Sequence, residues 1–284
     1  MINNLKAPSL LDHQNRSNER LDDPPMEISA VDMPLKPLKI LYQDDTLIAI
    51  DKPSGWFVHR SPLDPKVTEI VLQRLRDQVG AYLYPVHRLD RPTSGVLCFA
   101  LDQASARALG AQFMAHSLKK EYLALVRGYV ENEGMIDSPL SFIRDKIADR
   151  DRGEIADQEA ITFYHPLAQC EIPLSTGKYP TSRYTLLSLI PKTGRKHQLR
   201  RHMNHFSHPI VGDSTYGDLR HNRLFREHYD VERLLLHAYR ITLAHPKSGE
   251  PLTITAPLDN LWITLLTRLG WDPSIITSTG LHNS

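Results

Sequence analysis

The segment His87-Arg88-Leu89-Asp90-Arg91-Pro92-Thr93-Ser94-Gly95 runs directly into the apolar stretch Val96-Leu97-Cys98-Phe99-Ala100. An apolar run of this length predicts a buried β-strand, and Pro92 and Gly95 interrupt regular structure just before it. Asp90 is therefore predicted in a loop at the mouth of a strand, a common place for a reactive group held by a rigid scaffold.

Two arginines, Arg88 and Arg91, flank Asp90. Adjacent positive charge favours the ionised carboxylate, which would leave Asp90 available as a nucleophile or a base. By residue type alone, an Asp in a turn that caps the amides of Thr93 or Ser94 is an equally good interpretation.

On both sides of this strand, hydrophobic patterns predict further short strands and a few helices. Strands are expected at 39–42, 46–50, 95–101, 122–126, 182–190, 240–244 and 252–255, and helices at 66–78, after the N-cap Asp102, after Gly194 and over 259–269. Strands that turns separate irregularly, with few helices, are typical of a mixed, largely antiparallel sheet with flanking helices. The expected fold class is α+β rather than a doubly wound sheet.

The chain divides into three parts by composition. Residues 1–36 are rich in Asn, Asp, Pro and Ser and lack an apolar period, which predicts a disordered N-terminal extension. Residues 37–271 are expected to form one folded domain, and residues 272–284 a polar C-terminal tail.

Cysteine usage and hydropathy bear on the compartment. The 284 residues contain two cysteines, Cys98 and Cys170, which are too few for a disulfide framework. No apolar stretch suits a signal peptide or a membrane span. We therefore expect a cytoplasmic protein with no membrane partner.

Charge is unevenly distributed, although the net charge is only +1. Residues 172–212 contain no Asp or Glu but seven Lys and Arg, together with four His. A local basic field of this kind favours contacts with phosphates, so a nucleic acid is an expected partner. The acidic run from Glu131 to Glu159 is more simply read as a solvated face.

Several cofactor and metal signatures are missing from the sequence. It contains neither GxxxxGK[ST] nor GxGxxG, and neither GxSxG nor HExxH. We therefore expect no cofactor and no metal, with the chemistry carried by side chains alone.

A second polar segment, residues 193–202, is predicted to form a glycine turn that runs into a helix. Arg195 shares a helical face with Leu199 and Met203, so we expect its side chain to point inward. Because a buried guanidinium needs a partner, it should meet a carboxylate inside the fold, and Asp90 is the natural candidate.

Three further basic residues belong to this segment. Lys196 and Arg200, four positions apart, are predicted on another face of the helix, and Arg201 follows them. We expect these side chains to contact phosphates; for Lys196 and Arg200, a plain solvated face is the alternative.

Four segments together resemble the pseudouridine synthases of the RluA superfamily. They are Lys52-Pro53-Ser54-Gly55, the segment 87–95, Tyr122 within the strand 120–126, and the segment 193–200. Their order and spacing are similar to the family's from about residue 38 to residue 259. The resemblance implies the pseudouridine synthase catalytic fold over residues 37–271, without an N-terminal S4 RNA-binding domain. It also implies an enzyme that isomerises uridine in RNA without a cofactor.

The resemblance also implies roles for individual residues. Asp90 would be the nucleophile that assists detachment of the base, either by bonding to the ribose or by a glycal route. Arg195 would pair with Asp90. Tyr122 would pack against the target base, and it is a proposed general base in the family.

Three more positions are expected to contact the RNA. Arg88 would fill the space that the target base vacates when it leaves the stack, and His87 lies next to it. Leu236, before His237, would line the uracil pocket.

Residues 55–61, the variant Arg91-Pro92, and residues 208–220 most resemble a tRNA-modifying branch of the superfamily. They imply tRNA as the partner, uridine 65 of its T-stem as the target, no DNA partner, and a monomer. A ribosomal RNA uridine, a tRNA anticodon-stem uridine, or an RNA-binding protein without turnover remain alternatives. A glycosidase would need a second carboxylate near Asp90, for which Asp51 and Asp102 are nearest in sequence.

Overall fold

The computed structural model describes residues 37–59, 70–143 and 156–278, which hold ten strands and six helices. The strands are β1 (Lys39–Gln43), β2 (Leu47–Lys52), β3 (Tyr84–Pro85), β4 (Ser94–Ala100), β5 (Lys119–Arg127), β6 (Gly134–Asp137), β7 (Ile161–Ile172), β8 (Ser182–Pro191), β9 (Leu236–Ala244) and β10 (Pro251–Thr255). The helices are α1 (Val71–Val79), α2 (Gln103–Met114), α3 (Gln198–His205), α4 (Leu219–Tyr229), α5 (Asn260–Arg268) and α6 (Ile275–Ser278). The predicted extension, 1–36, and the start of the first predicted helix, 66–69, lie outside the described residues.

All ten strands belong to one sheet. Its order is β1-β2-β4-β9-β5-β8-β7-β6, with β10 added to β9 and β3 added to β4. Among these strands only β4 and β9 pair in parallel, and the other pairs are antiparallel. The expected α+β class, with a mixed and largely antiparallel sheet, is confirmed.

The parallel contact between β4 and β9 is short and requires a glycine. Ser94 pairs with His237, and Gly95 pairs with Ala238. Gly95 has a φ of +108°, and a Cβ atom there would lie 2.2 Å from the carbonyl oxygen of Ala238. Only glycine fits this close approach of two backbones. The contact fixes the start of β4, and with it the loop that carries Asp90.

Two apolar clusters meet beside the middle of the sheet. One contains Leu97 and Phe99 of β4, and the other contains Leu187 and Leu189 of β8. Tyr122 of β5 packs against both clusters. The packed core therefore fixes the position of this ring.

Several elements differ from the sequence-based expectation. β3, β6, β7, α4 and α6 were not predicted, and α3 begins at Gln198, three residues after Arg195. Packed residues also extend beyond the domain boundary expected at residue 271, because Ile276 is buried in the apolar core. No helix in the described ranges is long and apolar enough to cross a membrane.

Candidate active site

A cleft of about 680 Å³ opens beside the loop that carries Asp90. Residues from five parts of the chain line it: the loop before β4, the end of α2 with His116 after it, strand β5, the segment from the end of β8 into α3, and the first residue of β9. Asp90, Tyr122, Lys196 and Leu236 are all among the lining residues. The fold thus brings together side chains that are more than a hundred residues apart in the sequence.

The carboxylate of Asp90 is partly buried at the edge of this cleft, with its side chain 19% exposed. Nη1 of Arg200 donates a hydrogen bond to Oδ2 of Asp90 at 3.4 Å, and Nε2 of His197 lies 3.9 Å from Oδ1. The amide of Thr93 donates to the main-chain carbonyl of Asp90 rather than to its carboxylate. The side chain therefore faces the cleft and a guanidinium.

The arginine that meets Asp90 is Arg200, so the expected pairing with Arg195 is wrong. Arg195 lies in the turn before α3, where its Nε donates to the carbonyl of Glu159 at 2.9 Å. The helical phase that placed Arg195 inward does not apply because the helix has not yet begun. Arg200 lies in the first turn of α3, and it is buried beside Leu199.

Arg200 is also held from its other side by Asp213. Nε and Nη2 of Arg200 donate to the two oxygens of Asp213 at 2.7 and 2.8 Å. Oδ1 of Asp213 also accepts hydrogen bonds from the amides of Thr215 and Tyr216. Burial favours the neutral acid, but these hydrogen bonds and the charge of Arg200 outweigh it and hold the pKa of Asp213 below its usual value.

Asp213 was not among the sequence-based candidates. It is the first acid after the acid-free run 172–212, and a buried cation near that run must find a carboxylate. That pattern could have identified it. A chain of two ion pairs, from Asp213 through Arg200 to Asp90, therefore orients the carboxylate in the cleft.

The other predicted phosphate contacts divide into two groups. Arg201 is buried, and it donates to the carbonyl and hydroxyl oxygens of Ser141. With Arg200 it forms part of the protein interior, so the expectation that these two arginines contact phosphates is wrong. Lys196 and Arg88 are exposed and line the cleft, which leaves their charges accessible to a ligand.

His87 is fixed in the wall of the cleft. Its Nε2 accepts a hydrogen bond from the amide of Cys98 at 2.9 Å, and its ring stacks on Phe113 at 4.5 Å between centroids. Burial lowers the pKa of His87 to about 3, so the ring is neutral. Because an amide can only donate, Nε2 is unprotonated and Nδ1 carries the hydrogen.

A buried lysine ties the Asp90 loop to the segment after β2. Nζ of Lys52 donates to the carbonyls of Pro53, Trp56 and Arg91, at 2.8, 2.9 and 3.1 Å. The hydroxyl of Ser54 donates to the carbonyl of Pro92 at 2.7 Å. Burial lowers the pKa of Lys52 to about 7, while the charge of Asp90 acts in the opposite direction. The two residues that follow Asp90 are therefore bonded to a second loop.

Tyr122 and Leu236 form an apolar surface in the cleft. Leu236 is 3% exposed, and Tyr122 packs in the same cluster. Burial and the charge of Asp90 raise the pKa of Tyr122 above its usual value. The phenol is therefore neutral, and its ring can stack on a flat heterocycle.

The described residues give the cleft a single carboxylate and no metal site. Asp102 caps α2 by accepting the amide of Ser105, and Asp51 lies in β2; neither is among the lining residues. No group of three or more potential metal ligands occurs in the described ranges. The cleft combines one oriented carboxylate, a neutral phenol and a basic rim. This combination suits a substrate that carries phosphates and a flat ring, on which the carboxylate acts as a nucleophile or a base.

Comparison with known proteins places this cleft in a wider context. The family model described as RNA pseudouridylate synthase matches residues 46–205. The protein named tRNA pseudouridine synthase C of Haemophilus ducreyi is 55% identical over 234 residues, which cover 82% of this chain and 96% of that protein. The protein of the same name from Vibrio cholerae is 52% identical over 240 residues, or 84% of this chain and 98% of that one. A further protein of that name, from Pectobacterium carotovorum, is 54% identical, and the chain spans 62% of its length.

Two solved structures share the fold. The structure titled Human RNA Pseudouridylate Synthase Domain Containing 1 has a TM-score of 0.60 at 26% identity, covering 78% of this chain and 83% of that one. Human RNA Pseudouridylate Synthase Domain Containing 4 has the same TM-score and identity, covering 82% of this chain and 93% of that one.

Proposed function

Because this chain belongs to the RNA pseudouridylate synthase family, whose members are isomerases, we propose that it converts a specific uridine of tRNA to pseudouridine. The tRNA substrate is supported by the names of the curated relatives, which are tRNA pseudouridine synthases C. We propose uridine 65 of the T-stem as the target. The tRNA substrate supports a cytoplasmic enzyme, and we propose that it acts as a monomer.

The observation that carries this proposal is the carboxylate of Asp90, which faces the cleft while Arg200 holds it from behind. Pseudouridine formation breaks the bond between C1′ and N1, turns the uracil, and joins C1′ to C5. An ionised carboxylate can assist the first step by attack on the ribose or by proton removal that leads to a glycal. Neither route needs a cofactor, since the reaction neither transfers a group nor changes the oxidation state.

The apolar surface beside Asp90 suits the detached base. Uracil can lie against the surface of Tyr122 and Leu236 while it turns, since both side chains are fixed by packing. A uridine in a stem must first leave the stack, at a cost of a few kcal/mol. Arg88 is exposed and lines the cleft, which supports the proposal that it fills the vacated space.

Tritium release tests the function directly. A tRNA transcript labelled at uridine C5 is incubated with the wild type, with Asp90→Asn, and with Asp45→Asn. Asp45 is an exposed carboxylate that pairs with Lys247 and does not line the cleft, so it is a matched control for the same chemical change. We expect about one equivalent of tritium from the wild type and from Asp45→Asn. Asp90→Asn should release none while still binding the transcript.

Position mapping then decides the finer part of the proposal. A transcript in which cytidine replaces uridine 65 should release no tritium. Release from that transcript would refute the proposed position, and release only from ribosomal RNA would refute tRNA as the substrate. Turnover by Asp90→Asn near the wild-type rate would refute the role of this carboxylate.

A further inference from the structure

The cleft extends beyond Tyr122 to a second group of basic side chains. Lys120 precedes Tyr122 by two residues on β5, so both side chains are on the same face of the strand, and both line the cleft. Arg195 and His116 line the cleft as well. Asp90 is the only acid among the described residues that line the cleft. The part of the cleft around Lys120 and Arg195 is therefore strongly positive.

Lys120 lacks an anionic partner in the described part of the chain. Its Nζ donates to the carbonyl of Thr193 at 3.3 Å, a long hydrogen bond, and no carboxylate there lies within ion-pair distance. Burial lowers the pKa of Lys120 to about 8. A half-buried ammonium with one weak acceptor is destabilised, and an incoming anion would relieve that cost.

Arg195 is oriented towards the same region. Its Nε donates to the carbonyl of Glu159, which leaves the two terminal nitrogens without a bonded partner in the described ranges. The imidazole of His116 lies close enough to both cations to sense them: burial lowers its pKa first, and the charges of Lys120 and Arg195 lower it further. The carboxylate of Glu159 is the acid that opposes them, and its side chain is exposed to solvent.

We propose that Lys120 and Arg195 form a binding site for one backbone phosphate of the substrate RNA, next to the target nucleotide. Two residues of a strand span about 7 Å, so Lys120 lies about that far along β5 from Tyr122. When the target base stacks on Tyr122, a phosphate next to the target nucleotide is within reach of Lys120. A guanidinium and an ammonium that line the same cleft and both act on His116 match a phosphodiester. The site deepens the proposed function, on which it rests for the identity of the ligand as RNA.

A matched pair of lysine variants tests this site. Lys119 is adjacent on β5 and alternates to the other face of the strand, where it does not line the cleft. Lys120→Gln and Lys119→Gln thus remove the same charge from neighbouring positions. For Lys120→Gln we expect a roughly tenfold higher Kd for the tRNA transcript, and a slope of log Kd against log salt that is smaller by about one. Lys119→Gln should keep the wild-type slope, and Lys120→Arg should restore most of the affinity.

A second measurement separates phosphate binding from a structural role of Lys120. A stem oligonucleotide carries a neutral methylphosphonate at one linkage at a time on either side of the modified uridine. At one of these linkages, the methylphosphonate should weaken binding to the wild type about tenfold and leave binding to Lys120→Gln unchanged. The phosphate site is refuted if every methylphosphonate that weakens binding to the wild type weakens binding to Lys120→Gln equally. It is also refuted if Lys119→Gln and Lys120→Gln change the salt slope equally.

The result of the phosphate-site test does not depend on the result of the tritium-release test. If the wild type releases tritium while Lys120 shows no coupling to any linkage, the enzyme function stands and this site falls. If the wild type releases none from tRNA, the methylphosphonate scan on an RNA stem still decides whether Lys120 binds a phosphate.

Discussion

Replacement of Asp213 by Asn should destabilise the fold by about 3 kcal/mol. Asp213 and Arg200 share two short hydrogen bonds, and their side chains are 1% and 5% exposed. Loss of one partner from a buried ion pair costs about 3–5 kcal/mol. Arg200 keeps Asp90 as a second partner at 3.4 Å, which offsets part of the loss and places the effect at the lower end of that range. Such a loss is a large fraction of the roughly 5–15 kcal/mol that stabilises a typical domain.

Urea unfolding at pH 7, followed by tryptophan fluorescence, measures this loss. Asp218→Asn is the control, because Asp218 also pairs with an arginine, Arg127, but both side chains are partly exposed. An exposed pair contributes about 0–1 kcal/mol, and Asn can still accept the amide of Arg220 at the start of α4. A loss below about 1 kcal/mol for Asp213→Asn, or one equal to that of Asp218→Asn, would refute the idea that the buried chain of ion pairs orients Asp90.

Acidification gives a second check on the same pair. The pKa of Asp213 is lower in the folded state than in the unfolded chain, so its contribution is complete above the usual Asp pKa of about 4. It is lost as the pH falls through the lowered folded-state pKa. The difference in unfolding free energy between the wild type and Asp213→Asn should therefore shrink below pH 4. A difference that stays constant from pH 7 to pH 3 would contradict this linkage.

Two further predictions concern the backbone contact and the phenol. Gly95→Ala should lower the unfolding free energy in urea by more than about 3 kcal/mol, because its Cβ would meet the Ala238 carbonyl at 2.2 Å in a left-handed conformation. Gly80 is also left-handed but has no atom nearby, so Gly80→Ala should cost only roughly 1–2 kcal/mol in the same urea experiment. Tyr122→Phe should bind tRNA normally, and the pH dependence of kcat should have the same shape between pH 7 and 9 in both proteins, since the raised pKa keeps Tyr122 neutral. A rise of the wild-type rate over that range, absent in Tyr122→Phe, would show that the phenolate is the working form.

Elements with an uninterrupted local signal could be predicted from the sequence. The apolar run of β4, the largely buried run of β8 and the helix α5 after its cap Asp259 each lie within one or two residues of the expected bounds. β7 carries a weaker signal, because Pro166 adjoins a bulge and most of its side chains are only half-buried. Its place in the sheet depends on pairing with β8 and β6, which local patterns do not encode.

Most residues of the site could be predicted from the sequence, but the arginine that pairs with Asp90 could not. Asp90, Tyr122, Lys196 and Leu236 do line one cleft, as their motifs suggested. The error at Arg195 has a physical origin: helical phase presupposes a helix, and the first three residues after Gly194 form a turn instead. Amphipathic reasoning also fails for α3, since its first six residues are all buried and both faces are in the interior.

The segments that resemble the family converge on one structural task, which is to hold the loop around Asp90. Lys52 bonds the loop from one side, Gly95 brings β4 against β9, and Arg200 donates a hydrogen bond to the carboxylate. Each contact joins residues at least 39 positions apart, so no single segment could place Asp90 by itself. Changes at these three positions should therefore lower kcat more than they raise the KM for RNA, whereas changes at Lys120, which lies outside this framework, should act mainly on KM. That difference separates the residues that orient the carboxylate from those that bind the substrate.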